Sequence, residues 1–371
     1  MDERRAAGPV ADRRARAIMT TRQEIGLLRL AAQHLAGPGL TSATEAVAWL
    51  TAAQAQDFPG AVTSVVLRTA GGTRQMVEAA LDRGEIVRSW PMRGTLHLVT
   101  ADDLPWILGL TTPRMVARAV GRQAQLGLDP ATLVRARDLA VDALAGGRRL
   151  RRDDLLGVWN AAGLVTTGQR GYHLLWYLAQ TGVLCFGPMH DREQLIVLVD
   201  EWITRPRRLV REEALGELAL RYFRSHGPAT VKDFTRWTNL VAADVRVGLA
   251  LARPALVRIE VDGVEYLMDP RTPERLDTDR KLARGVFLLP GFDEFILGYL
   301  DRGAVLPAEF AGHIVPGNNG MFRPTVVSDG QVLGTWAHTG RGANRTITAT
   351  PFREFPPPVA EAIPRVHATL P

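Results

Sequence analysis

Three times along this chain a stretch of helical periodicity gives way to a pair of short strands. That repeated change of period limits the fold more than any other feature. In the first instance Leu27, Leu28, Leu30 and Leu35 recur at helical spacing until Gly37-Pro38-Gly39 ends the helix. Ser42-Ala43-Thr44-Glu45 opens a second helix through Val47 and Leu50, Pro59 precedes a third over 60–69, and a fourth spans 73–83. Residues 85–90 and 95–99 then read as strands around a Met92-Arg93-Gly94 turn. Helices followed by a two-stranded hairpin is the order of a winged helix, a helix-turn-helix variant with a β wing.

The second instance has helices over 131–145, 151–162 and 172–181, with strands at 183–186 and 195–198. The third sets Leu215, Leu218, Ala219, Tyr222 and Phe223 on one helical face and continues with helices over 230–237 and 242–252. It ends in strands 256–261 and 264–268 around Asp262-Gly263, a strong hairpin signal. Past Pro273 the pattern is β-rich, with strands at 286–289, 323–327, 331–336 and 345–350 and a Ser328-Asp329-Gly330 turn. The repeat is architectural, without residue-level self-similarity. The expected fold is α+β: three tandem winged-helix units (20–128 with connecting helices, 129–207 and 208–275), then a C-terminal β-rich portion at 276–371 with a DNA-contacting hairpin. Residues 1–19 read as a mobile basic arm, carrying Arg4, Arg5, Arg13, Arg14 and Arg16 with no apolar stretch after them, and Met19 is an alternative start.

Composition narrows the function classes. At 371 residues and 46% hydrophobic content the chain is long enough for two or three domains with sizeable cores. No apolar run reaches the length of about 18 residues that a spanning helix needs. The single cysteine, Cys185, excludes an internal disulfide framework and a cysteine-built zinc site, and it suits a cytoplasmic, nucleoid-associated location. The net charge of +6 is carried almost wholly by arginine, since Lys232 and Lys281 are the only lysines. Arginine forks match phosphate, so nucleic acid is the partner class the charge favours, beside the plainer reading of a basic solvated surface. Walker, H-E-x-x-H and G-x-S-x-G motifs are absent and the histidines are scattered; no metal and no cofactor is expected.

Few constellations in the sequence carry chemistry. The segment Gln54-Ala55-Gln56-Asp57-Phe58-Pro59 ends before a proline, which disfavours helical geometry. In an extended chain Gln54 and Gln56 point the same way with the Ala55 methyl behind them, and two neutral amides can hold a water molecule. The same residues also read as a polar linker, with Asp57 capping the next helix. Arg93, Thr95 and His97 sit at the first wing, either as a solvated turn and a packed histidine or as a groove contact. Asn318, Asn319, Met321 and Arg323 belong to a polar, glycine-rich connection, a plain loop or one that enters a groove. Asp293, Glu294 and Asp301 cluster around Phe292 and Phe295 and read as structural, tying Arg302 or capping a turn.

Several segments together, in this order, resemble the AlkZ-type DNA glycosylases, a tandem winged-helix family that includes the YcaQ-like enzymes. They are AAQAQD at 52–57, SWPMRGTLHLV at 89–99, RGYHLLWYLAQTGVLCFGP at 170–188, GPATVKDFTRWTNL at 227–240, LLPGFDEFILGYLDR at 288–302 and FRPTVVSDGQVLGTW at 322–336. The resemblance spans nearly the whole chain after Met19. It implies a C-shaped array of winged helices around a basic channel for duplex DNA, and a catalytic Gln-apolar-Gln motif that maps onto Gln54, Ala55 and Gln56. The YcaQ-like branch carries Asp at the second polar position. Gln56 resembles instead the AlkZ branch, whose members excise bulky alkylated guanines and unhook crosslinks made by azinomycin-type antibiotics. DNA repair, with self-resistance to such an antibiotic as one form of it, is the implied role.

An amide has no useful basicity, so these glutamines orient water and stabilise a cationic sugar through their carbonyl oxygens, without general-base catalysis. That suffices only for a leaving base that is already good, such as a guanine made cationic by alkylation on its major-groove ring nitrogen. With two lysines, neither near the glutamines in sequence, a Schiff-base lyase is disfavoured and a monofunctional enzyme is expected. The expected DNA contacts are Arg93, Thr95, His97, Asn318, Asn319, Met321 and Arg323, with Asp57 and Asp293 supporting the glutamines. Several units in one chain form their own clamp, so a monomer is expected. A winged-helix transcriptional regulator without catalysis, or a structural array, would share the fold and the charge.

Overall fold

The computed structural model describes residues 21–339 and 346–371, so the expected basic arm lies outside the described residues. The first part comprises α1 (Arg22–Ala32), α2 (Ala43–Leu50), β1 (Ala53–Gln54), α3 (Phe58–Val66), α4 (Arg74–Asp82), β2 (Ile86–Met92) and β3 (Thr95–Thr100). Connecting helices α5 (Leu104–Thr111), α6 (Pro113–Arg118) and α7 (Val120–Gln125) follow. Next come α8 (Pro130–Leu144), α9 (Arg152–Ala161), α10 (Arg170–Gln180), β4 (Leu184–His190), β5 (Glu193–Leu198) and the short α11 (Val199–Trp202). A third series has α12 (Arg211–His226), α13 (Val231–Thr238), α14 (Ala242–Ala252), β6 (Val257–Val261) and β7 (Val264–Met268). The C-terminal part holds α15 (Thr272–Ala283), β8 (Val286–Leu289), α16 (Glu294–Leu297), α17 (Ala311–Ile314), β9 (Thr325–Ser328), β10 (Gln331–Thr339), β11 (Thr346–Pro351) and α18 (Pro357–His367).

The turn residues account for the hairpins. Arg93-Gly94, Asp262-Gly263 and Asp329-Gly330 are each two-residue connections with positive φ at both positions, the backbone that keeps a hairpin twisted in the right sense. Side-chain caps begin the helices where the sequence places small polar residues, as at Ser42, whose hydroxyl accepts the Glu45 N–H at 3.1 Å.

The twelve-residue α15 stands where the sequence pattern is expected to turn β-rich, and two further features depart from the sequence reading. The first two hairpins are not separate wings: β2 pairs with β4 through Arg88 and Phe186, giving one five-stranded sheet in the order β1-β3-β2-β4-β5. Pro91 and Pro188 each sit in a bulge, between Ser89 and Met92 and between Phe186 and Met189. A proline at a bulge is tolerated within a strand, which is why β4 runs past Gly187-Pro188 where the sequence pattern breaks. The second departure is α1, which packs against α12 and α15 rather than with the helices that follow it. Ile25, Leu27, Leu28 and Leu30 share a core with Tyr266, Leu276, Phe295 and Val327. Gly37 and Gly39, both at positive φ, turn the chain away after it.

The shared sheet is the hub. On one face Val87, Val99, Cys185 and Val197 lie in the core of α12 and α13, with Leu218, Tyr222, Phe223 and Trp237. The opposite face divides: Ile86 and Leu98 pack on α2, α3 and α4, while Trp90, Leu96, Phe186 and Ile196 pack on α8, α9 and α10. A separate four-stranded sheet, β11-β10-β9-β8, carries α18.

The close approach of α1 to the β9–β10 turn allows a test. A Cβ on Gly26 would lie 2.1 Å from the Gly330 carbonyl oxygen, so Gly26→Ala is expected to cost about 1–3 kcal/mol in urea unfolding. Gly157→Ala in α9, where a Cβ meets nothing within 4 Å, is expected to stabilise by about 0.5–1 kcal/mol.

Candidate active site

The glutamine segment is extended, as its residues demand. Ala53 pairs with Leu98 and Gln54 with His97, and the Ala55 N–H continues the ladder to the Leu96 carbonyl at 2.7 Å. Where the strand ends, the Gln56 side chain takes over: its Oε1 accepts the Leu96 N–H at 3.3 Å. Ala55 is fully buried among Val47, Val65 and Leu98, while Gln54 is buried and Gln56 exposed. The pair therefore stands on one side of the strand as an inner and an outer amide.

Arg93 holds the inner one. At φ 53° it is a non-glycine residue in left-handed geometry, a strained position that its contacts must stabilise. Its half-buried guanidinium turns inward, donating through Nη2 to Gln54 Oε1 at 3.1 Å and through Nη1 to the Trp237 carbonyl. Nη2 also lies 3.0 Å from His97 Nε2, and His97 Nδ1 lies 2.8 Å from the Thr95 carbonyl. Those partners assign the imidazole proton to Nδ1 and leave Nε2 to accept. Burial and then the Arg93 charge push the His97 pKa down to about 3, so the ring is neutral at physiological pH. Burial pushes Arg93 itself down to about 10, which leaves it charged.

Behind Gln54 lies Glu294, at the start of α16 and almost completely buried. Its Oε1 accepts the Gln54 backbone N–H at 3.2 Å, and its Oε2 accepts the Trp237 indole N–H at 3.0 Å and faces His226 Nε2 at 3.3 Å. Burial acts to raise its pKa. The His226 hydrogen bond and the charges of His226 and Arg93 outweigh burial and hold it at about 2, so the carboxylate is ionised. The adjacent Asp293 turns the other way, accepting Ser64 Oγ at 2.6 Å and both terminal nitrogens of the buried Arg68 at 2.9 Å.

The structure relocates several sequence candidates. His97 is fully buried and cannot reach a groove; its role is inward, against Arg93. Arg93 is likewise committed to Gln54 and Trp237 rather than free for a phosphate, because the tight turn points its side chain into the fold. Thr95 is half-buried, and its hydroxyl bonds the Met92 carbonyl at 3.4 Å. Asp57 occupies the N-cap position of α3 but makes no side-chain cap bond. The acidic cluster is structural, as expected, through turn caps: Asp293 accepts the Phe295 N–H at 2.9 Å and Asp301 the Gly303 N–H at 2.8 Å, while Arg302 Nε donates to the Ile296 carbonyl at 2.9 Å.

The polar connection does sit beside the site: Phe322 packs on Phe292, ring centroids 5.9 Å apart, two residues before Glu294. Asn318, Asn319, Met321 and Arg323 are exposed on it. Among the described residues Arg118, Arg236 and Arg323 are exposed with no side-chain partner. His226 and Trp237 have no place in the sequence reading, and Glu294 enters it only as a structural carboxylate. The available signal was a pair of carboxylates inside the apolar run LLPGFDEFIL, where each needs its own donors. Among the described residues no three His, Cys, Asp or Glu side chains group as a metal site requires.

Residues 47–370 match the sequence profile of the AlkZ-like DNA glycosylases. The chain belongs to that family. An interstrand DNA cross-link repair glycosylase from Streptomyces sahachiroi is 27% identical over 351 residues, covering 87% of this chain and 88% of the relative. The solved structure of Streptomyces sahachiroi DNA glycosylase AlkZ superposes with a TM-score of 0.77 at 24% identity, over 94% of this chain and 95% of that one, which shows a shared fold. This AlkZ-like protein is thus an enzyme acting on the N-glycosyl bonds of DNA. Among the described residues no helix is long and apolar enough to cross a membrane.

The buried charges make the site's stability sensitive to acid. Unfolded His97 binds a proton below its ordinary value of 6.5, whereas the folded residue stays neutral to about 3, so its effect is absent above 6.5 and stability falls as pH drops through that window. Glu294, ordinarily 4.5 and about 2 when folded, adds a second loss below 4.5. Urea unfolding from pH 7 to 4.5 is expected to show a shallower fall for His97→Gln, by up to about 1.4 kcal/mol per pH unit.

Proposed function

We propose that the enzyme hydrolyses the N-glycosidic bond of cationic alkylated guanines in duplex DNA, bulky adducts and interstrand crosslinks included. In this reading it leaves an intact abasic site. The observation that supports it is the pair of amides, beside which the buried titratable groups are already engaged with protein partners. Glu294 is buried and bonded to the Gln54 N–H, Trp237 and His226, the free lone pair of His97 faces Arg93, and the exposed Asp57 carboxylate lies against Gly60 at the start of α3, where a Cβ would meet its Oδ2 at 2.6 Å. Both glutamine oxygens already accept a protein donor, Gln54 from Arg93 and Gln56 from Leu96. Each keeps one lone pair, and each NH₂ is left to hold water. Such a site positions water but hardly activates it, so the leaving base must depart unaided, as a cationic base does when it leaves neutral.

Charge then moves onto the sugar, where the buried Glu294 carboxylate supplies the stabilising potential and offsets Arg93. The exposed Arg118, Arg236 and Arg323 and the 317–321 connection are the phosphate and groove contacts of this reading. The three helix-then-hairpin series act as tandem winged helices lining an open channel, in a monomeric cytoplasmic enzyme. The name of the Streptomyces sahachiroi relative, an interstrand DNA cross-link repair glycosylase, supports crosslink repair as the role.

Single-turnover release from a duplex with one cationic alkylguanine tests the proposal. Gln54→Ala and Gln56→Ala are each expected to lose at least about tenfold in rate, or about 1.4 kcal/mol of transition-state stabilisation. Glu294→Gln is expected to lose more, and uracil is expected to stay in place. Tight binding with no release from any cationic adduct would overturn the reading in favour of a non-catalytic DNA binder. Borohydride is expected to trap no covalent complex. In salt titrations of duplex binding, Arg236→Ala and Arg323→Ala are each expected to lower the slope by about 0.9.

A further inference from the structure

On the face of the shared sheet away from Gln54, a cavity of about 450 Å³ opens between the first and second helix-hairpin series. Four rings, Phe58, Trp90, Tyr172 and Phe186, line it with Arg88, and Asp153 and Glu193 add carboxylates to its lining. The Arg88 guanidinium carbon lies 5.4 Å from the Phe58 ring centre and 5.7 Å from that of Phe186. It donates to the Ala55 carbonyl at 2.9 Å and to Gln194 Oε1 at 3.2 Å, yet no carboxylate pairs with it. Burial lowers its pKa to about 10, and the charge of Asp57 offsets that only in part. Exposed Arg152 and Arg192 stand at the rim without ion pairs among the described residues.

Rings on the walls and the spare N–H groups of the half-buried Arg88 specify a flat ligand with an acceptor oxygen. The cavity is also joined to the catalytic segment. Arg88 grips Ala55, and the Leu96 backbone N–H, from another wall residue, holds Gln56 Oε1.

We propose that this cavity is a second binding site of the enzyme, taking a planar aromatic group with a carbonyl acceptor that comes with the damaged strand. The proposal rests on the glycosylase reading for its substrate but is tested by binding alone. Two sources share the chemistry: an unstacked nucleobase, or an aryl arm carried by a bulky adduct.

The test uses the full-length enzyme and three duplexes: undamaged, methylated on the major-groove ring nitrogen of one guanine, and carrying an aryl-ketone arm on that nitrogen. Affinities are compared for wild type, Tyr172→Ala and Phe186→Leu, from opposite walls, with Tyr172→Phe as the variant that keeps the ring. Wild type is expected to prefer the aryl-armed duplex over the methylated one by about tenfold or more. If both wall variants erase that preference and Tyr172→Phe keeps it, the arm is the occupant. If instead both variants weaken the two damaged duplexes alike, and a 2-aminopurine beside the lesion loses its binding-induced fluorescence, the occupant is a nucleobase. Unchanged affinities for all three duplexes in properly folded variants would overturn the proposal. So would an equal loss on undamaged DNA, which marks a general effect on binding. Absence of base release by wild type would sink the glycosylase reading and leave these affinities interpretable.

Discussion

The carboxylate of Glu294 is the constraint on which the rest of the site depends. An ion withdrawn from water this completely survives only when donors surround it. Here the donors come from three places: the Gln54 backbone in the first series, and Trp237 and His226 on α13 and α12 in the third. Glu294 itself belongs to the C-terminal part. One buried charge therefore fixes the relative placement of segments more than two hundred residues apart in sequence. Asp293 repeats the device next door, binding Arg68 of the first series in a pair with both partners out of water. Removing either carboxylate strands buried donors, a change that costs about 3–5 kcal/mol where such pairs have been broken.

The same arrangement decides what the glutamines can do. Arg93 and Glu294 bracket Gln54, one on its side-chain oxygen and the other on its backbone N–H. Their charges balance, so the amide sits at a locally neutral point within a field that rises toward Glu294 on one side. Rotating Gln54 would break the Arg93 bond and leave a strained turn without the contact that steadies it. The placement of the Gln54 amide thus derives from the Arg93-Gly94 turn, with His97 as a neutral spacer that accepts from Arg93 without adding charge.

Much of the fold is legible in the sequence because its signals are local. Helical spacing, Ser42 and Thr230 as caps, and Asp-Gly or Arg-Gly turns each act within a few residues, and the elements stand where those signals place them. The features that escape are those with no local trace. Edge pairing of β2 with β4 rests on a single residue pair, Arg88 and Phe186, whose alternation pattern is that of any half-buried strand. Gly26 looks like an ordinary helix glycine, and only the Gly330 carbonyl explains it. In the site, the extended Gln54–Gln56 segment is readable from its proline and small residues. The inward turn of Arg93 and the burial of His97 are not, because exposure is set by α13, which sequence spacing cannot bring alongside.

The neutrality of Gln54 follows from its neighbours. A carboxylate at this position would face Arg93 at ion-pair distance and compete with Trp237 for that guanidinium, while lying beside the already ionised Glu294. Arg93 would hold such a carboxylate ionised, and the segment would then carry a second negative charge next to Glu294. An amide avoids that charge. It keeps a fixed donor face and a fixed acceptor face at every physiological pH, and it leaves Glu294 as the sole anionic group bonded to the segment. The cost is the loss of a general base. That loss is tolerable only where bond cleavage runs ahead of water attack, and cleavage runs ahead when the departing base already bears the positive charge.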